Sequence, residues 1–203
     1  MKLLFSALLL LLIASTCKCK SSTLEDTCRS FAAGHPSIGY DYCIKTFQAD
    51  NGSSAAEATD ARALAAIAAR IAEAKANATA ARVAALSAVE VDGRRRARLD
   101  VCAEVYSDAV DQLGQAAEDI ARGGEGDDDG AEAALQDAVT QLSAALDAPG
   151  TCEDAFGEAD DTSPLAAEDA EFKKLATIAL AVAASLAPPS SPSTPTPRPR
   201  IAG

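Results

Sequence analysis

The sequence predicts an all-α protein, an up-and-down four-helix bundle preceded by a short N-terminal helical hairpin and stapled by disulfides. Hydrophobic residues make up 48% of the 203 residues, whereas aromatic residues make up only 4% and tryptophan is absent. Alanine supplies most of this apolar content and is the strongest helix former, whereas sheets favour β-branched and aromatic side chains. Four segments also repeat apolar residues at helical spacing, and together they provide the surfaces of one bundle.

Two short helices are predicted before the bundle. Ser22 and Glu25 have the spacing of a capping box, so the first helix begins there and runs toward Phe31. The segment AAGHPSIG interrupts it, and a second helix follows from about Ser37 to Gln48. The segment DNGSS is a turn that separates this hairpin from the bundle.

The first two bundle helices are predicted on either side of the segment VDGRRRAR. The first runs from Ala55 to about Val89, a length that predicts a bend or a break within it. The second ends near Arg122, and its apolar side chains recur at steps of three and four residues. This predicted seam consists of Leu99, Cys102, Tyr106, Ala109, Leu113, Ala116 and Ile120.

Two further helices complete the predicted bundle. The segment GGEGDDDG is predicted to be a flexible acidic loop, and the third helix after it ends at the segment APG. Ser163 and Pro164 are the predicted N-cap and first-turn residues of the last helix. The larger apolar residues are Leu135, Val139, Leu142 and Leu146 in the third helix, and Phe172, Leu175, Ala179, Val182 and Leu186 in the last.

The two ends of the chain differ in composition from the predicted domain at residues 20–187. Residues 1–19 contain Lys2 and the apolar run Leu3–Ala14, which is too short to span a bilayer and is typical of a secretory signal peptide. Residues 188–203 are rich in Pro, Ser and Thr and are predicted to be disordered. The thirteen-residue apolar segment LATIALAVAASLA is also too short for a span. We therefore expect a secreted, soluble mature protein.

Four cysteines remain beyond the predicted signal peptide: Cys28, Cys43, Cys102 and Cys152. In an oxidising compartment an even number of cysteines favours disulfides, and four cysteines permit three pairings. The simplest arrangement is the local one, in which Cys28 pairs with Cys43 and Cys102 pairs with Cys152. Zinc is disfavoured because there is no C-x-x-C and only one histidine, His35. A reactive cysteine beside that histidine is the less favoured alternative.

The formal charge of −12 and the pI near 4.5 exclude some partners. Binding to nucleic acid phosphates needs a basic surface, and anionic membranes attract cations. A basic protein partner is compatible, since complementary fields speed encounter. The single histidine and the lack of a Ser/His/Asp set give no sign of an enzyme, and no cofactor or metal is predicted.

Two charged clusters have alternative interpretations. Arg94, Arg95, Arg96 and Arg98 are either a docking patch for an acidic partner or a solvated helix surface. The run Asp127–Asp129 lacks the alternating ligands and the closing Glu of a calcium loop, so an anionic surface loop is the better interpretation.

Two sequons are candidate glycosylation sites in a secreted chain, Asn51 in NGS and Asn77 in NAT. Asn51 falls in a predicted turn. Asn77 falls on a predicted helix, where it is a candidate only if it faces outward. Tyr106 lies on the predicted seam, so packing is its expected role.

Four stretches of the sequence resemble the plant invertase/pectin methylesterase inhibitor family. They are DTCRSF with YDYCIKTF, LDVCAEVYSDAVDQL, QLSAALDAPGTCEDAF and SPLAAEDAEFKKLATIALAVAASL, and the resemblance extends from Ser21 to Leu186. It implies a helical hairpin before a four-helix bundle, with disulfides from first to second and from third to fourth cysteine. It also implies a non-catalytic inhibitor that acts in the apoplast, the plant cell wall space. Many relatives have a fifth cysteine in the last helical region, where this chain has none.

The resemblance leaves the target enzyme open between two branches. Members of the invertase branch have a Pro-Lys-Phe segment in the loop after the central seam helix, where this chain has RGGEGDDDGAEAAL. That difference favours inhibition of pectin methylesterase by a non-covalent complex that blocks the substrate cleft. The alternative target is cell-wall or vacuolar invertase, because the pattern CEDAF…SPL also occurs in proteins of that branch.

A carrier of lipids or small molecules is the alternative from another class, although small alanine side chains let helices close up and leave little room. The residues that contact a target are not identified by the sequence. By analogy with the family, the exposed faces of the two central bundle helices are the expected binding surface.

Overall fold

The computed structural model describes residues 22–49, 55, 58, 60–123 and 128–187, apart from the side chain of Asp128. Within these residues there are helices and turns and no strand. The helices are Thr23–Gly34 (α1), Tyr40–Ala49 (α2), Ala61–Val89 (α3), Gly93–Arg122 (α4), Asp128–Ala145 (α5), Ala148–Gly157 (α6) and Ala166–Ala184 (α7).

The four longer helices after the hairpin form the predicted bundle. Helix α4 packs against α3 and α5, and α7 packs against the same two helices, which closes the ring. The short helix α6 lies against α4 and α7, and the α1–α2 hairpin lies against α3 and α7. The all-α bundle with a preceding hairpin is therefore confirmed.

The hairpin begins with the predicted capping box. The amide of Glu25 donates to Ser22 Oγ at 3.2 Å, and the amide of Ser22 donates to Glu25 Oε2 at 3.3 Å. These two bonds satisfy donors that the first turn of a helix otherwise leaves without partners.

The second helix of the hairpin begins at Tyr40, later than the predicted start near Ser37. The amides of Ile38 and Gly39 both donate to the carbonyl of His35, at 3.1 and 3.0 Å, and this makes a turn. Gly39 has a φ of +83°, a left-handed conformation that glycine adopts without steric cost. The turn therefore uses residues that the sequence pattern assigned to the helix.

Helix α3 begins at Ala61 rather than at Ala55, because Asp60 caps it. The amide of Ala63 donates to Asp60 Oδ1 at 2.8 Å. Ala55 is itself helical, whereas Ala58 and Asp60 are not, so the break predicted within Ala55–Val89 lies before Ala61. From Ala61 the helix runs for 29 residues and contains neither Gly nor Pro. Its buried face consists of small side chains and three larger ones: Leu64, Ala65, Ala68, Ala69, Ala72, Ala76, Thr79 and Val83.

The predicted seam of α4 is confirmed. Its seven residues are at most 1% exposed, and the Tyr106 ring meets Phe172 of α7 edge to face with centroids 5.4 Å apart. Alanine at most contact positions of α3 lets the α3 and α4 backbones approach closely. At Gly114 of α4, an added Cβ would lie 3.3 Å from the Glu73 carboxylate of α3.

The region after α4 differs from the prediction in two places. The segment APG does not simply end a helix: α5 stops at Ala145, and α6 starts at Ala148 with Pro149 in its first turn, a position that tolerates the missing amide. Asp128 and Asp129 lie in α5, so this part of the predicted flexible acidic loop is helical. The residues 124–127 lie outside the described residues.

The start of α7 also differs from the prediction. Ser163 does not cap the helix, which begins at Ala166 after Leu165. Instead, Ser163 Oγ accepts from the amide of Leu165 at 3.1 Å and stabilises a turn before the helix. The predicted signal peptide at 1–19 and the predicted tail at 188–203 lie outside the described residues.

None of the described helices has both the length and the apolar character that crossing a bilayer needs.

Candidate docking surface

Two disulfides fix the positions of the helices that carry the surface. The structure pairs Cys28 with Cys43 and Cys102 with Cys152, which is the pairing that the resemblance implies. The first bond joins α1 to α2, and the second joins α4 to α6 across 50 residues of chain. All four cysteines are fully buried. The alternative of a reactive cysteine beside His35 is wrong, because Cys28 and Cys43 are bonded to each other.

The outer surface of α4 is acidic. Its exposed carboxylates follow one another at steps of four, four, three and seven residues, which places them on the side of the helix opposite the buried seam. They span 18 residues, or about 27 Å of helix. Within the described residues, none of these carboxylates belongs to an ion pair. We call this set the α4 acidic face: Asp100, Glu104, Asp108, Asp111 and Glu118.

The outer surface of α3 has a different character. From Arg70 to Val89 its exposed side chains include two arginines and no carboxylate, although the chain as a whole has a charge of −12. Asn77 is exposed in the middle of this surface, as the glycosylation interpretation requires. Asn51 lies outside the described residues. We call this set the α3 neutral face: Arg70, Ala74, Asn77, Ala78, Ala81, Arg82, Ala84, Ala85, Ala88 and Val89.

The connection between α3 and α4 exposes two large apolar side chains. Val89 is 75% exposed and Val91 is 93% exposed. Single exposed apolar side chains are common, but two beside each other at the end of a helical hairpin are suited to contact with another protein.

The four arginines at the start of α4 fall into two pairs, one bound within the protein and one exposed. Arg95 Nη1 lies 2.5 Å from Asp161 Oδ1, and Arg98 Nη2 lies 2.8 Å from Asp161 Oδ2. Both guanidinium groups also lie over the buried Phe156 ring, at 5.4 and 5.5 Å from its centroid. Arg95 and Arg98 therefore hold α4 to the α6–α7 connection. Arg94 and Arg96 are exposed.

The electrostatics of Asp161 agree with this arrangement. Burial acts to raise its pKa, but the hydrogen bonds from Arg95 and Arg98 outweigh this and hold the pKa of Asp161 below its ordinary value. The sequence analysis treated the four arginines together, as either a docking patch or a solvated helix surface, because it could not show that an aspartate more than sixty residues away pairs with two of them.

A buried acidic cluster lies where α4, α6 and α7 meet. Asp169 is only 3% exposed, and the Tyr106 hydroxyl donates to its Oδ1 at 2.5 Å. Burial raises the pKa of Asp169 to about 7, the hydrogen bond with Glu153 adds to this increase, and the Tyr106 hydroxyl opposes it. The sequence predicted only a packing role for Tyr106 and gave no role to the two acids.

The described residues give no support for a metal centre at the acidic run Asp127–Asp129. Among the described residues there is no group of three or more His, Cys, Asp or Glu side chains that could hold a metal ion. Asp127 lies outside them. The His35 ring stacks on Phe31 with centroids 4.8 Å apart, so it packs against the hairpin.

Cavities in the described part of the chain are surface grooves. One groove of about 550 Å³ lies between α1 and the ends of α3 and α7 and is lined by residues such as Phe31, His35 and Val182. A smaller groove of about 290 Å³ separates α6 from α7 and is lined by Glu153 and Asp169.

The fold and its surfaces define a disulfide-linked helical bundle with one acidic and one neutral outer face. Residues 12–182 match the family model described as plant invertase/pectin methylesterase inhibitor. The chain therefore belongs to the plant invertase/pectin methylesterase inhibitor family. Proteins of this family are inhibitors of pectin methylesterase or invertase and not enzymes.

The chain is similar both to proteins named as invertase inhibitors and to a protein named as a pectinesterase inhibitor. Over 183 residues the chain is 29% identical to a "Putative invertase inhibitor" of Platanus orientalis, covering 90% of this chain and 96% of that protein. Over 114 residues it is 31% identical to a pectinesterase inhibitor of Actinidia deliciosa, covering 56% of this chain and 55% of that protein.

Solved structures confirm the fold. The chain is similar to a mutant form of a pectin methylesterase inhibitor from Arabidopsis with a TM-score of 0.61 and 23% identity, covering 83% of this chain and 99% of that one. A second pectin methylesterase inhibitor structure from Arabidopsis thaliana gives a TM-score of 0.55 at 21% identity.

Proposed function

We propose that this protein is a secreted inhibitor of pectin methylesterase, which it blocks by covering the substrate cleft in a non-covalent complex. An inhibitor of this kind needs a rigid surface and no reactive group. Two buried disulfides and the closed helical ring support the required rigidity. The α4 acidic face is the observation that supports a basic target most directly, because complementary charge speeds encounter and excludes wrong partners.

Invertase is the second candidate target. The relatives that match most of the chain are named as invertase inhibitors, whereas the relative named as a pectinesterase inhibitor matches about half of it. Against invertase, the segment after α4 reads RGGEGDDDG and lacks the Pro-Lys-Phe of that branch. We therefore retain pectin methylesterase as the first choice.

Parallel inhibition assays distinguish the two targets. We expect the purified chain to inhibit plant pectin methylesterase at near one-to-one stoichiometry and to leave cell-wall and vacuolar invertase active. The same chain after reduction and alkylation of its cysteines is the matched control, because it keeps the composition and loses the disulfides. Inhibition of invertase alone would reassign the target, and inhibition of neither enzyme would contradict the proposed function.

We also propose that residues 1–19 direct secretion to the apoplast and that the secreted chain carries N-glycans at Asn51 and Asn77. Asn77 is exposed on α3, but the hydroxyl of its sequon partner Thr79 is fully buried and donates to the Lys75 carbonyl at 3.0 Å. Transfer to Asn77 would therefore have to precede packing of α3. A glycan there would cover the α3 neutral face and leave the α4 acidic face open.

Mass spectrometry of the protein secreted from plant cells tests the glycans. We expect Asn77→Gln and Asn51→Gln each to remove the mass of one glycan. Thr79→Ser is the matched control, because serine keeps the sequon and the hydroxyl. An intact mass equal to that of the bare polypeptide would contradict this prediction.

A further inference from the structure

The acidic cluster between α4, α6 and α7 contains two carboxyl oxygens that accept no hydrogen bond from the described donors. They are Asp169 Oδ2 and Glu153 Oε1, and both are inaccessible to solvent. Both residues line the groove between α6 and α7, and Glu153 is among the groups that raise the pKa of Asp169. Ionised carboxylates only accept hydrogen bonds, so contact between these oxygens needs a proton on one of them.

The rest of the cluster provides one donor from the protein. Tyr106 is fully buried in α4, and its hydroxyl already donates to Asp169 Oδ1. A hydroxyl has a single proton to donate, so Tyr106 cannot also satisfy Asp169 Oδ2. One proton shared between Asp169 and Glu153 would give both remaining oxygens a hydrogen-bond partner.

The charged groups around Asp169 disfavour a second negative charge. Helix α6 presents Glu153 and Asp154 to the groove beside it, and α7 itself contributes Glu168 and Lys173. Asp169 lies in the first turn of α7, where the helix dipole favours an anion. Burial and the neighbouring Glu153 and Glu168 oppose this stabilisation of the Asp169 anion by the dipole. The groove gives protons from solvent a route to the cluster.

We propose that Tyr106, Asp169 and Glu153 form an acid-stabilised latch that joins α4, α6 and α7 and loosens when the shared proton is lost. In its protonated form the latch holds α6 against α7 by hydrogen bonds. In its deprotonated form two like charges face each other in a buried site. The latch concerns the fold itself and holds whichever enzyme is the target.

The sign of the pH dependence follows from Asp169. Its pKa is about 7 in the folded protein against an ordinary value of 3.8, so the folded state binds a proton that the unfolded state has released. The stabilisation is fully present below about pH 4 and is lost as the pH rises through about 7. This difference in pKa corresponds to at most about a thousandfold change in the folded-to-unfolded ratio.

Other carboxyl groups act at lower pH. Hydrogen bonds from Tyr42 and Lys174 hold the pKa of Glu171 below its ordinary value, and the pKa of Asp161 is also lowered. The stability that the ionised Glu171 and Asp161 give the folded state is present above the ordinary carboxyl pKa and is lost only as the pH falls below it. Between about pH 5 and pH 8 the latch is therefore the part of this set that titrates.

Urea unfolding of the full mature chain between about pH 5 and pH 8 tests the latch. We expect the unfolding midpoint of the wild type to fall as the pH rises, and that of Asp169→Asn to stay nearly constant, because asparagine is neutral and has the same shape. Asp154→Asn is the matched control, since Asp154 is an exposed neighbour of Glu153 on α6. It should keep the wild-type pH dependence. An Asp169→Asn variant with the wild-type pH dependence would overturn the proposal.

A carboxyl NMR titration of the wild-type protein gives an answer even if the variant does not fold. We expect an apparent pKa of about 7 in the carboxyl signal of Asp169. We also expect the amides of α6 to exchange faster at pH 8 than at pH 5 after correction for intrinsic rates. Titration of Asp169 near its ordinary value would overturn the proposal.

Discussion

Replacing Cys102 and Cys152 together by serine is expected to lower the free energy of unfolding by about 4 kcal/mol. The bond closes a segment of 50 residues, and cross-linking restricts the unfolded chain more as the closed loop becomes longer. A loss of this size is comparable to the whole net stability of many domains. Thermal and urea unfolding of the mature chain, followed by circular dichroism, measure the effect.

The matched control is the double serine variant at Cys28 and Cys43. That bond closes only 15 residues, so the same reasoning gives about 3 kcal/mol as the upper value. It joins α1 to α2, outside the four-helix ring, so its loss should loosen the hairpin before the bundle. Equal destabilisation of the bundle by the two variants would contradict this assignment of roles.

The parts of the fold that the sequence predicted well are those determined by local patterns. The steps of three and four from Leu99 to Ile120 locate the buried side of α4, and Ser22 with Glu25 locates the start of α1. Both depend on residues within one or two helical turns of each other. Fold class and cysteine pairing also follow when the family resemblance is added to these patterns.

The parts that the sequence missed depend on residues far apart in the chain. Asp169 has the position of an ordinary first-turn acid, and only the packing of α4 and α6 buries it against Tyr106 and Glu153. Asp161 similarly meets Arg95 and Arg98 because the α6–α7 connection returns to the start of α4. Periodicity reports which side of a helix is apolar and contains no information about such partners.

Helix ends were the other source of error, for a different reason. Ala55, Ser37 and Ser163 are all compatible with helix starts by composition. The structure begins those helices later because Asp60 and the turns at His35 and Ser163 provide hydrogen bonds that compete with the helix. Competition between a cap, a turn and a helical turn is decided by small energies that the wider packing sets.

Neutralising the α4 acidic face is expected to slow association with a basic pectin methylesterase by about 10- to 100-fold at low salt. Long-range attraction raises the association rate of oppositely charged proteins by factors of this order, and salt screens it. The dissociation rate should change less, since exposed charges at an interface contribute mainly to encounter. The variant neutralises four of the five residues of this face and keeps Glu118: it combines Asp100→Asn, Glu104→Gln, Asp108→Asn and Asp111→Asn.

The matched control removes the same number of exposed negative charges from α5 and the connection after α6, and so keeps the net charge equal to that of the α4 variant. If the target docks on α4, the control should retain most of the wild-type association rate, and the two rates should converge as salt increases. Equal slowing of both variants would mean that net charge alone directs the encounter, and the α4 face would lose its assigned role. The control combines Glu132→Gln, Asp137→Asn, Glu158→Gln and Asp160→Asn, all at exposed positions.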